Sequence, residues 1–192
     1  MRPFFTYYGG KWSMARRYAP VRHELIIEPF AGSAGFSVRH EAPRAVLCDV
    51  NPQVAEVWRY LIATPADEIR ALPLLLPGQD VADLPLCQEA RWLIGWNLSK
   101  GAESPRRTLS AWGRVPKYAS QFWGERVRER IASQVDLIRA GRLCMETSHS
   151  SICAKQLGSL IRRIPALPDD TTDSTGSTIR HLPSGARHSP VR

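Results

Sequence analysis

The stretch that decides the fold is LIIEPFAGSAGFSVRH, residues 25–40. Leu25-Ile26-Ile27 is a short apolar run of the kind that forms a buried parallel strand. It leads into four small residues, Ala31-Gly32-Ser33-Ala34, with Gly35 behind them. Small residues allow a tight strand-to-helix turn and let a ligand come close to the backbone. A second apolar run follows at Ala45 to Cys48, and Ser33 to Glu41 between the two can form the crossover helix. The unit therefore reads β-loop-α-β, right-handed if both strands share one sheet. It places Asp49 at the end of the second strand, where a carboxylate suits a ribose diol. The expected fold class is α/β.

Outward from this unit, Asn51-Pro52 opens a further helix to about Ile62, with Asn51 as its cap and Pro52 in the first turn. Pro65 to Pro85 reads as irregular and proline-rich. Leu86 to Asn97 reads as a helix carrying Trp92 and Trp96 at i,i+4 spacing. The segment SKGAESPRRTLSAWGRVPKY, residues 99–118, is a polar, basic loop or hairpin. Gln121 to Arg139 has a single apolar stripe (Trp123, Val127, Ile131, Val135, Ile138), with Arg126, Arg128 and Arg130 off it, the pattern of an amphipathic helix. Beyond about Arg139 neither helical nor strand periodicity persists. Ser, Thr, Pro and Gly dominate the end of the chain, a composition expected to be disordered.

The totals narrow the function classes. A chain of 192 residues has room for one domain, or one domain and a tail. No apolar run approaches the roughly 20 residues of a membrane span, and the first residues lack the apolar core of a secretory signal. The expectation is a soluble, cytoplasmic monomer. Cys48, Cys87, Cys144 and Cys153 lack paired CxxC spacing, so neither a metal nor a disulfide is expected, and they read as small apolar residues. A net charge of +8 favours a polyanionic partner.

The small-residue turn does not match a dinucleotide fingerprint, because AGSAG does not supply GxGxxG. GGKWS near the N-terminus is not a phosphate-binding P-loop either, since the upstream glycine is missing and Trp12 follows the lysine. Three motifs in order, TYYGGKW (residues 6–12), EPFAGSAGFS (28–37) and LCDVNPQ (47–53), resemble instead those of the D12-type DNA adenine methyltransferases, the Dam-like and phage-type enzymes. The resemblance implies a Rossmann-like S-adenosylmethionine-dependent fold, here truncated, with a mostly helical target-recognition insert. It divides the chain into a cofactor-binding part (1–64), a target-recognition region (65–139) and a tail (140–192). It also implies S-adenosyl-L-methionine as cofactor and double-stranded DNA as partner. Tyr7 stands where the family has Trp and would pack on the cofactor. Lys11 would meet the methionine carboxylate, Phe30, Gly32 and Gly35 would shape the pocket, and Asp49 would hold the ribose hydroxyls. In the recognition region Arg106, Arg107, Arg114 and Lys117, interleaved with Trp112 and Tyr118, would contact phosphates and wedge into the duplex.

The family holds the flipped adenine with Asp-Pro-Pro-Tyr, and these 192 residues contain neither that motif nor Asn-Pro-Pro-Tyr, so no catalytic residue is assigned. Read one nucleotide earlier, however, the codons of QLGSLIRRIP, residues 156–165, permit Ala-Thr-Trp-Phe-(Val or Ile)-Asp-Pro-Pro-Tyr-Pro. The same shift lets Met145 to Ser148 read (Tyr or His)-Gly-Asp-Phe, similar to a segment the family carries before the motif. The sequence-level hypothesis is a frameshift near Ile138 to Gly141, leaving an out-of-frame tail. Gene codons between Gln134 and Pro168 that fail to spell Asp-Pro-Pro-Tyr in the alternate frame would refute it. The alternative reading is a non-catalytic module that binds DNA or S-adenosylmethionine.

Overall fold

The structure, a computed structural model, describes residues 1–139 and 143–147. In chain order the helices and strands are α1 (Trp12–Ala15), β1 (Leu25–Glu28), α2 (Gly35–Arg39), β2 (Arg44–Asp49), α3 (Pro52–Ala63), α4 (Ala66–Ala71), α5 (Gln88–Trp96), α6 (Pro116–Ala119), α7 (Glu125–Arg139) and β3 (Leu143–Thr147). Short 3-10 turns lie at Val81–Asp83 and Trp112–Arg114. The three strands form one parallel sheet in the order β1-β2-β3. Ile26 lies opposite Ala45, and Ala45 in turn opposite Leu143. This is the expected α/β mixture with a small parallel sheet.

Both expected strands form. Asn51 caps α3 as read from sequence, its Oδ1 accepting from the Gln53 N–H at 3.0 Å, with Pro52 in the first turn. The crossover helix begins at Gly35 rather than Ser33, because Gly32 (φ +49°) and Ala34 (φ 48°) are both left-handed and the chain cannot become helical until it has passed them. The segment read as irregular contains α4, whose Ile69 is fully buried. α7 begins at Glu125, so Trp123 falls before the helix; its ring is still buried, with the indole N–H donating to the Pro73 carbonyl at 2.9 Å.

The largest departure is β3. Sequence reading leaves the sheet with nothing after the second strand and predicts disorder from about residue 141. Instead Leu143 to Thr147 pairs with the full length of β2 beyond Arg44. Leu143 and Met145 are buried while Cys144 between them is exposed, the period-2 alternation of a strand with one face on the core. Three positions are too short a run for periodicity to be read, and the free edge of β2, not local propensity, selects the conformation. The expected disorder after Thr147 and the out-of-frame reading of Gln156 to Pro165 lie outside the described residues.

The core is built where an N-terminal strap passes between α3 and α5. Phe4 and Phe5 are fully buried, both against Trp58 of α3 with ring centroids at 5.5 Å, and Phe5 stacks on Trp96 of α5 at 5.1 Å. Each such ring contributes about 1.5–3 kcal/mol by leaving water. The backbone of the strap is gripped as well. Asn97 Nδ2 donates to the Phe4 carbonyl at 3.2 Å, and Thr6 Oγ1 lies 2.6 Å from the Trp96 carbonyl and 2.7 Å from that of Ser99. This anchoring fixes the residues that follow, Tyr7 to Lys11, over the carboxyl ends of β1 and β2. α3 packs against β2 and β3, and α7 against α3 and α4. Of the described cysteines, Cys48 is a core residue as expected, but Cys87 and Cys144 are exposed.

Candidate functional site

β1 and β2 end side by side, and the loops leaving their carboxyl ends meet. In open parallel α/β sheets this crevice is where ligands bind. The Ala31 N–H donates to the Cys48 carbonyl at 2.9 Å, which joins the small-residue turn to the last residues of β2. Asp49, nearly buried, then bridges two loops: Oδ2 accepts from the Gly32 N–H at 2.7 Å and Oδ1 from the Asn51 N–H at 2.9 Å. The carboxylate expected to face a ribose is thus also the clamp that holds the turn.

Gly32 is fixed from both sides. Its carbonyl accepts from the Trp58 indole N–H at 2.7 Å in a buried contact. Its φ of +49° is in the left-handed region, and a Cβ there would lie 2.9 Å from Cδ1 of Tyr7. Tyr7 therefore packs directly on the turn, with its other side edge-on to Trp96 at 6.0 Å. Trp58→Phe keeps most of the ring but leaves the buried Gly32 carbonyl without a donor. We expect a loss of about 2 kcal/mol, read from the urea midpoint, with ring packing largely retained.

Gly35 opens α2 where α1 begins against it. A Cβ at Gly35 would meet the Trp12 nitrogen at 2.5 Å and the Lys11 backbone at 2.9 Å. Lys11 Nζ donates to the Phe30 carbonyl at 2.5 Å, which holds the ammonium beside the turn. Phe30 itself projects outward, 72% exposed, and Val50 after Asp49 is 76% exposed. Tyr7, Lys11, Phe30, Gly32, Gly35 and Asp49, the six residues named from sequence for one pocket, therefore come together at one turn. A cation, a carboxylate and an exposed aromatic ring lie around it.

Sequence reading missed Glu28. This buried carboxylate at the end of β1 accepts from the Ser37 hydroxyl at 2.6 Å, the Ser37 N–H at 3.1 Å and the Phe36 N–H at 3.5 Å. It thereby satisfies orphan amides at the start of α2 and sets the angle at which the turn leaves the strand. An acidic residue at a strand end shortly before a helix is a weak signal for such a role.

The basic middle is less unified than its sequence suggests. Arg106, Trp112 and Tyr118 line one cavity of about 570 Å³ together with Lys100, which sequence reading did not single out. Trp112, 66% exposed, packs edge-on to Tyr118 at 5.4 Å, and Lys117 Nζ lies over the Tyr118 ring at 5.7 Å. Arg114 faces a different cavity, between the Leu75–Gln79 segment and Trp123. Arg107 is ion-paired with Asp80 at 2.7 Å. That hydrogen bond, and then the Ala82 N–H, holds the Asp80 carboxyl below its ordinary value, while Asp80 raises that of Arg107. Both groups are solvated enough for the pair to add little stability. Arg106 and Arg107 also line a further cavity together, so the four cations named from sequence do not converge on a single cavity.

Among the described residues no cluster of His, Cys, Asp and Glu could hold a metal ion, and no helix is long and apolar enough to cross a membrane. Residues 7–83 match the family model of the D12 class N6 adenine-specific DNA methyltransferases. The matched span starts at Tyr7, inside the first motif, contains the other two motifs, β1, β2, α3 and α4, and ends before α5 and the basic segment. No curated protein matches the chain.

Proposed function

We propose that the chain is the cofactor-binding half of a D12-type, adenine-specific DNA methyltransferase, binding S-adenosylmethionine at the Gly32 turn and DNA through its basic surface. By itself it transfers no methyl group. The observation that carries the reading is the convergence of Tyr7 and Asp49 on the left-handed Gly32, with the Lys11 ammonium on the neighbouring Phe30 carbonyl, over the carboxyl ends of β1 and β2.

The residues present fit the cofactor. The Lys11 ammonium suits its carboxylate, the oxygens of Asp49 retain lone pairs for ribose hydroxyls after accepting from Gly32 and Asn51, and the exposed Phe30 ring suits the flat face of adenine. Tyr7, seated on Gly32, would close one wall, and Gly35 keeps α1 close enough for Lys11 to reach. The cofactor, when bound, supplies an electrophilic methyl group on a sulfonium centre. Using it on adenine requires an acceptor for the amino group and a ring stacked on the extruded base. The sequence offers no Asp-Pro-Pro-Tyr to do either. Arg106, Arg114 and Lys117, with the exposed Trp112, are the proposed DNA contacts of the recognition region. The distinction from a pure binding module is therefore one of descent, since both readings bind without turnover.

Calorimetric titration of the full chain with S-adenosylmethionine tests the proposal. We expect saturable binding that Lys11→Met weakens roughly 10- to 100-fold, the effect of losing one charge-assisted contact of about 1.5–3 kcal/mol. Incubation with adenine-containing duplex and labelled cofactor should leave the DNA unmethylated. A folded chain with no cofactor binding would refute the first half, and methyl transfer the second.

A further inference from the structure

A second basic site adjoins the Arg106 cavity, the two sharing Lys100 and Gln121. The N-terminal strap, the loop after α5 and the first three turns of α7 line a groove of about 880 Å³. Four cations line it, Arg2, Lys100, Arg126 and Arg130, and no carboxylate does among the described residues. Three nearby acids are engaged by other cations: Glu129 pairs with Arg70, Asp136 with Arg139, and Glu41 with the chain's amino terminus. Arg130 is held in place, donating to the Pro3 carbonyl, and burial and then the neighbouring Arg2 push its pKa below the ordinary guanidinium value. Lys100 reaches the side-chain oxygen of Gln121, and Arg126 has no hydrogen-bond or ion-pair partner among the described residues. Four like charges facing one groove repel one another, and a bound polyanion relieves this.

We propose that this groove binds the phosphate backbone of nucleic acid, carrying the strand past the mouth of the Gly32 turn. The inference rests on the DNA-directed reading above and adds a contact surface to it. Three of the four cations are arginines, whose planar forks match phosphate oxygens. The four cations come from three separate segments on a concave surface, which suits a strand that follows a groove. A lipid surface is the weaker match, because none of the exposed large apolar side chains lines the groove. Trp12 connects the two sites: its side of α1 lines the groove, while its backbone nitrogen abuts Gly35 at the turn.

The test is fluorescence anisotropy of a labelled duplex of about 20 base pairs with the full chain over a range of salt. Neutralising one phosphate contact lowers the slope of log K against log salt by about one and weakens binding roughly tenfold at 0.1 M salt. Arg126→Gln should do this, and Arg126→Gln with Lys100→Gln should lower the slope by about two. Both side chains are exposed, so circular dichroism should match wild type. Arg59→Gln, paired with Glu56 on α3 and not among the residues lining the groove, should leave the slope unchanged. If wild type binds duplex with a steep slope that the double variant keeps, the groove proposal falls and the DNA-directed reading stands. A folded wild type that binds cofactor but no duplex at any salt overturns both. Equal sensitivity of binding to phosphatidylserine vesicles overturns the assignment to nucleic acid.

Discussion

Alanine at position 35 is expected to lower the melting temperature by roughly 6–12 °C and to abolish measurable cofactor binding. The atoms a Cβ would meet are backbone, the Trp12 nitrogen at 2.5 Å and the Lys11 carbon and nitrogen at 2.9 and 3.1 Å. A side chain in the way could rotate aside, but these atoms can retreat only if α1 moves off α2. Overpacking with partial relief costs about 1–3 kcal/mol, and relief by moving a segment puts this case at the upper end. In a chain of this size each kcal/mol shifts the midpoint by about 2–4 °C. The functional loss follows from the same movement. Lys11 reaches the Phe30 carbonyl at 2.5 Å only because its backbone lies against Gly35, so displacing α1 takes the ammonium away from the turn. Scanning fluorimetry and calorimetric titration measure the two effects. A variant melting within about 2 °C of wild type would show that the contact is not a constraint.

What could be read in advance divides along the range of the interactions involved. β1, β2, the Asn51 cap and Pro52 of α3 are set by neighbours in sequence, and their signals lie in short windows. The three motifs could be placed at one site because each ends a strand or precedes a helix, and parallel topology brings such ends together. The features that escaped depend on distant partners. Trp58 looks like one more core tryptophan until its indole N–H is found on the Gly32 carbonyl, 26 residues away in sequence. Arg107 looks as available as Arg106, but Asp80 in the proline-rich segment already occupies it. Arg2 and Arg130 are separated by almost the whole described chain, so their shared groove has no local signature. β3 is the extreme case, since five residues of mixed character become a strand only because β2 presents an open edge.

Asp49→Ala should be the most damaging polar substitution in the turn, destabilising by about 2–5 kcal/mol before any effect on ligand is counted. It removes two acceptors at once, one for the Gly32 N–H at 2.7 Å in a buried contact and one for the Asn51 N–H at 2.9 Å, which is partly accessible to water. A buried donor left without a partner costs about 1–3 kcal/mol, more when the lost partner was charged, whereas water can partly replace the bond to Asn51. Asp49→Asn discriminates between the two roles of the residue. The amide keeps one oxygen and most of the shape but cannot accept at both positions, so its stability should fall between wild type and alanine. Cofactor affinity should not follow that order. A ribose diol needs free acceptor capacity beyond what the two amides use, and asparagine satisfying one amide has little to offer. Its affinity should therefore drop nearly as far as that of alanine, measured at a temperature where both variants are folded. If affinity instead tracks stability across the three proteins, Asp49 acts on the cofactor only by shaping the turn, and the ribose contact must be sought on another residue.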